Sequence, residues 1–170
     1  MPVRRATAED AHGLAVVHVL GWQRAYRGLL PQHVLDDLSI PDREAGWLTI
    51  LGDSERQART LVVERDGVIA GWAGYGAARD ADAPASGELW GIYAHPQYWS
   101  TGVGHELLVA VEDALRAEGH DAAYLWVLEG NERAASFYER HGWLDDGGTR
   151  TEERPGLSMR ERRHVKALRA

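Results

Sequence analysis

Apolar residues recur every three or four positions in several stretches of the chain, which is the pattern of amphipathic helices. The first such stretch begins at Thr7-x-x-Asp10, a capping-box sequence that predicts a helix N-terminus. A later stretch places Leu107, Leu108 and Val111 on one helix face. The periodicity predicts helices over residues 7–26, 31–38, 41–51, 103–117 and 131–140.

Shorter apolar runs, separated by Gly, Pro and Asp, predict strands. Asp66-Gly67 lies between two of these runs and predicts a two-residue hairpin turn. Residues 80–87 are rich in Ala, Asp, Pro and Gly and predict a loop. The predicted strands cover residues 3–6, 60–64, 68–75, 88–94, 123–128 and 157–165, with one more beginning at Trp143.

The middle of the chain reads strand, glycine loop, helix, strand, which predicts a right-handed crossover between two parallel strands. The other strands are joined by short connections, as antiparallel strands are. The sequence therefore predicts an α/β fold with a mixed, mostly antiparallel central sheet flanked by helices. Because the 170 residues contain no long linker, we expect one domain over residues 1–170.

Composition excludes several kinds of site. The chain has no Cys, which excludes disulfides, thiolate nucleophiles and cysteine-based zinc sites. Lys166 is the only lysine among 19 basic residues, which excludes a P-loop lysine and a Schiff-base lysine in the core. The eight His residues lack the spacing of a metal-binding motif, so we predict no metal.

The charge balance, −7 with 26% charged residues, is typical of a soluble protein and also favours a cationic ligand. Basic residues are scattered, so we expect no nucleic-acid partner. The apolar runs are too short for a membrane helix, and the N-terminus has no apolar core of a signal peptide. We therefore expect a cytoplasmic protein without a membrane partner.

Residues 99–105, WSTGVGH, lie between a predicted strand and a predicted helix. The glycines let the backbone approach a ligand closely, and the N–H groups that open a helix favour a phosphate or pyrophosphate. The dinucleotide fingerprint would need Gly at position 107, where Leu107 stands, and the Walker pattern is absent. Taken alone, the motif is equally typical of an unliganded turn into a helix.

A second segment, NERAASFYERHGW, covers residues 131–143. Asn131 and Tyr138 are seven residues apart, so they lie on nearly the same helix face, about 10 Å apart along the axis. Such a polar pair suits a long, thin ligand. Taken singly, Asn131 is better explained as a helix N-cap, and Tyr138 can be a core residue with its hydroxyl at the rim.

Together and in this order, the two segments resemble the GNAT superfamily of N-acetyltransferases. The loop resembles the family's R/Q-x-x-G-x-G/A signature, and residues 131–143 match its N-x-x-A-x-x-F-Y-x-x-x-G-F/W pattern at every fixed position. Residues 22–31 also look like the opening helices of many bacterial members. The resemblance implies the GNAT fold, in which a splayed parallel strand pair holds acetyl-CoA. One departure is Trp99, where the family usually has Arg or Gln, so that a side-chain donor is lost or the indole covers the cofactor.

The resemblance also implies roles for individual residues. The backbone of Ile92, Tyr93 and Ala94 would pair with pantetheine like an added strand. Asn131 would contact the pantetheine arm, and Tyr138 would lie near the acetyl-CoA sulfur. The residues implied to offer N–H groups to the pyrophosphate are Thr101, Gly102, Val103, Gly104 and His105.

The implied reaction moves an acetyl group directly to a primary amine, so it needs a base for the ammonium and an acid for the thiolate. Tyr138 is the predicted acid, from its motif position. Glu88 is the predicted base, directly or through water, with an exposed Glu at a strand start as the alternative. Trp22 and Tyr26 share a helix face in the region that lines the acceptor site in relatives, so they are substrate candidates; core packing is the alternative.

Two other functions stay open on this sequence: a non-catalytic acyl-CoA-binding or regulatory module, and an interaction domain that binds no CoA. The subgroup that acetylates ribosomal-protein N-termini places its base Glu five residues before the motif Asn, where this chain has Trp126, so that acceptor is less expected. Small-molecule and peptide amines both remain as acceptors. The oligomeric state, monomer or homodimer, is also open.

Overall fold

The computed structural model describes residues 2–169. Its helices and strands follow the predicted order along the chain. The helices are α1 (Ala11–Ala25), α2 (Gln32–Asp36), α3 (Ile40–Gly52), α4 (Ser54–Ala58), α5 (Val103–Ala117) and α6 (Glu132–Arg140). The strands are β1 (Arg4–Arg5), β2 (Thr60–Arg65), β3 (Val68–Ala77), β4 (Gly87–Ala94), β5 (Ala122–Leu128), β6 (Leu144–Arg154) and β7 (Leu157–Ala167).

The strands form one seven-stranded sheet in the order β1-β2-β3-β4-β5-β7-β6. Strand β4 runs parallel to β5, with Glu88 opposite Tyr124. Antiparallel pairing joins β1 to β2, β2 to β3, β5 to β7 and β6 to β7. This confirms the predicted mixed α/β fold, because the helical crossover between β4 and β5 makes that pair parallel.

Most of the helix and strand boundaries predicted from local sequence signals agree with the structure to within two residues. Helix α5 covers the predicted residues, and the Asp66-Gly67 turn has the positive φ values of a tight hairpin, 53° and 78°. The capping box is present too: Asp10 Oδ2 accepts a hydrogen bond of 2.7 Å from the Thr7 N–H. Helix α4 was not predicted; it forms because the Asp53 carboxylate accepts from the Glu55 and Arg56 N–H groups and so restarts the helix.

The chain divides into two compact units, and strands β3 and β4 contribute to both. The first unit contains residues 2–75 and Gly91–Asp113. Its core is built on α1, which buries residues on both predicted faces, including Leu14 and Ala15, against Trp47 and Trp72. Gly71 is required there, since a Cβ would lie 2.6 Å from Val103 Cγ1.

The second unit contains Gly76–Trp90 and residues 114–169. Strands β5, β7 and β6 form its antiparallel part, in which β6 and β7 make a long hairpin from Leu144 to Ala167. Tyr124 and Trp143 are fully buried in its core. No helix within residues 2–169 combines the length and apolar character of a membrane span. The single domain expected over residues 1–170 stays a prediction.

Candidate active site

The glycine loop leads directly into the N-terminus of α5, in the first unit. Ser100 and Gly102 adopt left-handed backbone, with φ values of 62° and 95°. Thr101 Oγ1 donates to the Tyr98 carbonyl at 2.5 Å, and the Glu106 N–H donates to the Gly102 carbonyl at 3.0 Å. The N–H groups of residues 103–105 therefore precede the first bond of the helix, which is the arrangement that binds anions.

The side chain of Trp99 connects this loop to the end of β4 by a hydrogen bond. Its indole Nε1 donates a 2.9 Å hydrogen bond to the Ala94 carbonyl, one of the backbone groups predicted to pair with pantetheine. The guanidinium of Arg24 lies 5.8 Å from the centre of the Trp99 ring. Arg24 thus places a cation next to Trp99, the position where the family usually has Arg or Gln. The Trp99 side chain itself was not expected to supply a donor to a pyrophosphate.

The two substrate candidates lie together in an aromatic cluster of the first unit. The rings of Trp22 and Tyr26 meet edge to face at 4.9 Å, and the Tyr26 and Tyr93 hydroxyls are 3.0 Å apart. His18 stacks on Trp22, one helical turn before it, and on Trp72. Trp22 and Tyr26 are each only 8% exposed, so they contribute to the core whatever else they do. His18 and Trp72 were not among the predicted site residues. The sequence did contain a signal for His18, because it lies four residues before Trp22 and therefore on the same helix face.

Asn131 and Tyr138 belong to the second unit, where α6 positions both. Asn131 is the N-cap of α6, and its Oδ1 accepts a 3.2 Å hydrogen bond from the Ala134 N–H. This confirms the capping interpretation and leaves the Nδ2 end of the amide as its donor. Asn131 also lines a cavity of about 120 Å³ at the end of β5. Tyr138 is 7% exposed, and its ring lies 6.4 Å from that of His164.

Glu88, the predicted base, is 1% exposed, so its interpretation as an exposed residue at a strand start is wrong. Oε1 accepts from Arg79 Nη2 at 2.9 Å, and Oε2 accepts from the Arg79 backbone N–H at 2.9 Å. The Tyr124 hydroxyl lies 3.1 Å from Oε2. Glu88 is buried because the parallel pairing of β4 with β5 places it opposite Tyr124.

Asp80 lies on the other side of the Tyr124 hydroxyl, which is 2.8 Å from Asp80 Oδ2. Trp126 Nε1 donates to the same oxygen at 2.9 Å, and Arg150 donates to Oδ1 at 3.3 Å. Burial opposes ionisation of Asp80, but the hydrogen bonds from Trp126 and Tyr124 and the charges of Arg150 and Arg79 together lower its pKa. Burial and the Asp80 hydrogen bond raise the pKa of Tyr124, so its hydroxyl keeps its proton.

Arg150 links this network to the β6–β7 hairpin. Its guanidinium lies 4.5 Å from the centre of the Trp126 ring, and its Nε donates to Glu161 Oε1 at 2.9 Å. Burial raises the pKa of Glu161, against the charge of Arg150. Sequence reasoning missed Arg79, Asp80 and Tyr124 as site residues. The one available signal was a tyrosine inside a strand predicted to be buried, since a buried phenol needs a partner.

Within residues 2–169, no three His, Asp or Glu side chains come together as a metal site requires, and the absence of a metal remains a prediction. Comparison with known proteins gives the family context. Residues 17–143 match the model of the Acetyltransferase (GNAT) family. An uncharacterized N-acetyltransferase, YuaI of Bacillus subtilis, is 30% identical over 131 residues, which cover 76% of this chain and 72% of YuaI.

Solved structures with the same fold are numerous. The PaiA N-acetyltransferase from Thermoplasma acidophilum, in complex with coenzyme A, superposes with a TM-score of 0.71 at 21% identity, covering 97% of each chain. YncA from Salmonella typhimurium, a putative acetyltransferase with its cofactor acetyl-CoA, gives a TM-score of 0.69 at 19% identity, covering 100% of this chain and 95% of YncA. At these identities the two structures establish the fold of this chain.

Proposed function

Because the chain belongs to the GNAT family of acetyltransferases, we propose that it transfers the acetyl group of acetyl-CoA directly to a primary amine. The observation that carries the proposal is the loop with left-handed backbone at Ser100 and Gly102, which opens the fifteen-residue helix α5. A helix N-terminus behind such a loop is suited to a pyrophosphate. PaiA and YncA, which share the fold, are described with coenzyme A and acetyl-CoA.

Acetyl-CoA supplies the acetyl thioester, and the chain supplies the groups that hold it. The N–H groups of Thr101 through His105 take the pyrophosphate, with Arg24 as the nearby cation. The backbone of Ile92, Tyr93 and Ala94 pairs with pantetheine; the Ala94 carbonyl can still accept a second hydrogen bond through its other lone pair. Asn131 donates from Nδ2 to the pantetheine arm.

Transfer requires three proton movements: two protons leave the ammonium nitrogen, and one reaches the sulfur. An alkylammonium has a pKa of roughly 10, so it must lose a proton before its nitrogen can attack the thioester carbon. Glu88 accepts that proton through a water molecule, because its carboxylate is buried. As the C–N bond forms and the C–S bond breaks, Tyr138 donates its proton to the leaving sulfur, and the second proton that the nitrogen loses restores the Tyr138 hydroxyl through water.

The acceptor is a small-molecule or peptide amine, with Trp22 and Tyr26 as the residues that line its site. The net charge of −7 favours a cationic acceptor. We place the reaction in the cytoplasm, with no metal, membrane or nucleic acid involved, and with a homodimer as one candidate assembly. A non-catalytic acyl-CoA-binding module is the competing function; Glu88 and Tyr138, both present, favour the enzyme.

Calorimetric titration with acetyl-CoA tests the cofactor assignment. We expect micromolar affinity for acetyl-CoA and no measurable affinity for acetyl-pantetheine, which lacks the pyrophosphate. Gly102→Ala should weaken binding at least tenfold, because φ of 95° strains any L side chain and the loop must shift. Gly156→Ala is the matched control: Gly156 has φ of 72° in the β6–β7 turn and should leave affinity unchanged. Folded protein that does not bind acetyl-CoA would contradict the proposal.

A further inference from the structure

The Tyr124 hydroxyl has one proton and two carboxylate neighbours. Its oxygen lies 2.8 Å from Asp80 Oδ2 and 3.1 Å from Glu88 Oε2. A single O–H group donates one good hydrogen bond, so one of these carboxylates faces the phenol oxygen without a proton between them. All three groups are well fixed, since Tyr124 is fully buried, Glu88 is 1% exposed and the Asp80 side chain is 25% exposed.

The surroundings decide which carboxylate receives the Tyr124 proton. Asp80 makes the shorter contact, and Trp126 and Arg150 also donate to it, which keeps Asp80 ionised and the O–H turned toward it. One lone pair of the phenol oxygen accepts a 3.3 Å hydrogen bond from the Asp80 backbone N–H, and the other lone pair faces Glu88 Oε2. The contact between the Tyr124 oxygen and Glu88 Oε2 is therefore a place that fits one additional proton.

We propose that Tyr124 and Asp80 are positioning residues for Glu88, and that they hold the phenol oxygen as the acceptor for the proton that Glu88 takes from the amine. The inference rests on the proposed function. In this step an N–H bond of the ammonium breaks and an O–H bond forms at Glu88 Oε2, relayed by water. The new O–H donates to the Tyr124 oxygen, while the Tyr124 O–H continues to donate to Asp80. The proton returns to solvent when the product leaves.

Charges around the network explain why such an acceptor is useful. Arg79 donates to both oxygens of Glu88. The Tyr124 oxygen gives a proton on Glu88 Oε2 an acceptor, and Asp80 brings a negative charge to the same network. The remaining charged groups of the network are Arg150, Glu161 and Glu152, which face Asp80 and one another from β6 and β7.

Tyr124→Phe tests the inference through the pH profile of kcat/KM. Without the phenol oxygen, protonated Glu88 loses its acceptor, so the acid limb should move about one pH unit lower and kcat should fall about tenfold with KM unchanged. Asp80→Asn should move the acid limb in the same direction, since it removes a negative charge near Glu88. Tyr75→Phe, which alters another buried tyrosine in the first unit, should leave the limb in place. A variant that is only less stable would not move it.

A direct titration separates this inference from the proposed function. In protein labelled with carboxyl-¹³C glutamate, Glu88→Gln identifies the Glu88 resonance, and no substrate is needed. We expect its titration midpoint to lie at lower pH in Tyr124→Phe than in the parent protein. The same midpoint in both proteins would overturn the inference, even if the enzyme acetylates amines. A shifted midpoint without any acetylation would support the network and overturn the proposed function.

Discussion

Two buried carboxylates of this protein are held by arginine in very different ways. Asp10, in the first unit, receives two hydrogen bonds from Arg4, of 2.8 and 2.9 Å, and a third from the Thr7 N–H. Glu88, in the second unit, also binds an arginine, Arg79, but its other neighbour is the Tyr124 hydroxyl, whose single proton is directed at Asp80.

The difference is one of proton count. Around Asp10 both carboxylate oxygens accept from donors that carry their own protons, and the hydrogen bonds from Arg4 lower the pKa of Asp10 despite its burial. Around Glu88 the Arg79 N–H groups are matched to the carboxylate, but the one hydroxyl proton of Tyr124 faces two carboxylates, Glu88 and Asp80. A network whose donors and acceptors match stabilises one protonation state and one conformation. A network that is one proton short can accept a proton without rearranging, which is what a catalytic base must do.

Glu88→Gln should have the largest effect. An amide cannot take a proton from the amine, so kcat should fall by about 100-fold or more, and the acid limb of the pH profile should disappear. The measurement is a steady-state pH–rate profile from pH 5 to 9, with acetyl-CoA affinity measured alongside. A variant with the parent profile would remove Glu88 from the mechanism and make its network purely structural.

Tyr138→Phe tests the acid side of the same reaction. Because the phenol donates to the leaving sulfur in this proposal, its loss should lower kcat by about 100-fold and leave acetyl-CoA affinity nearly unchanged. Stopped assays of product formation, beside calorimetry, separate the two quantities. The ring of Tyr138 stays in place in this variant, so unchanged turnover would mean that the sulfur leaves without its help.

Asp10→Asn should affect stability and leave catalysis unchanged. We expect the free energy of unfolding at pH 7 to fall by about 1–2 kcal/mol, since the capping box loses its charge and Arg4 is partly exposed. The control is Asp53→Asn, at an exposed N-cap where Asn is an equally good cap, with little expected change. Urea unfolding measures both, and a large loss of kcat in folded Asp10→Asn would contradict the comparison.

The pH dependence of this stability has a definite sign. The pKa of Asp10 is lower in the folded protein than in the unfolded chain. Its contribution is therefore complete above the unfolded pKa, about 3.9, and is lost as the pH falls through the folded value. The difference in unfolding free energy between the parent protein and Asp10→Asn should shrink below about pH 4.

The elements that depend on local sequence signals could be predicted from the sequence. The bounds of α5 were predicted because Gly102 and Gly119 flank it and its apolar face is regular. The Thr7 capping box and the Asp66-Gly67 turn were likewise local signals. Each depends on residues close together in the chain, so a single sequence contains the necessary information.

The Glu88 network could not be predicted in the same way. Asp80 lies in a segment that looks like a solvated loop, and its partners Tyr124 and Trp126 are 44 and 46 residues away in the chain. Whether Glu88 is exposed or buried depends on the register of β4 against β5. Only the folded chain shows that a second carboxylate shares the tyrosine, because a single sequence does not specify strand register.

The proposed function requires that this protein acetylate amines. The most direct measurement is release of free CoA thiol from acetyl-CoA in the presence of polyamines, aminoglycosides, amino acids and short peptides, each confirmed by the mass of the acetylated product. We expect at least one amine whose acetylation requires the protein and falls about 100-fold or more in Glu88→Gln. Tight acetyl-CoA binding with no acetylated product from any of these amine classes would contradict it and favour a non-catalytic acyl-CoA-binding module.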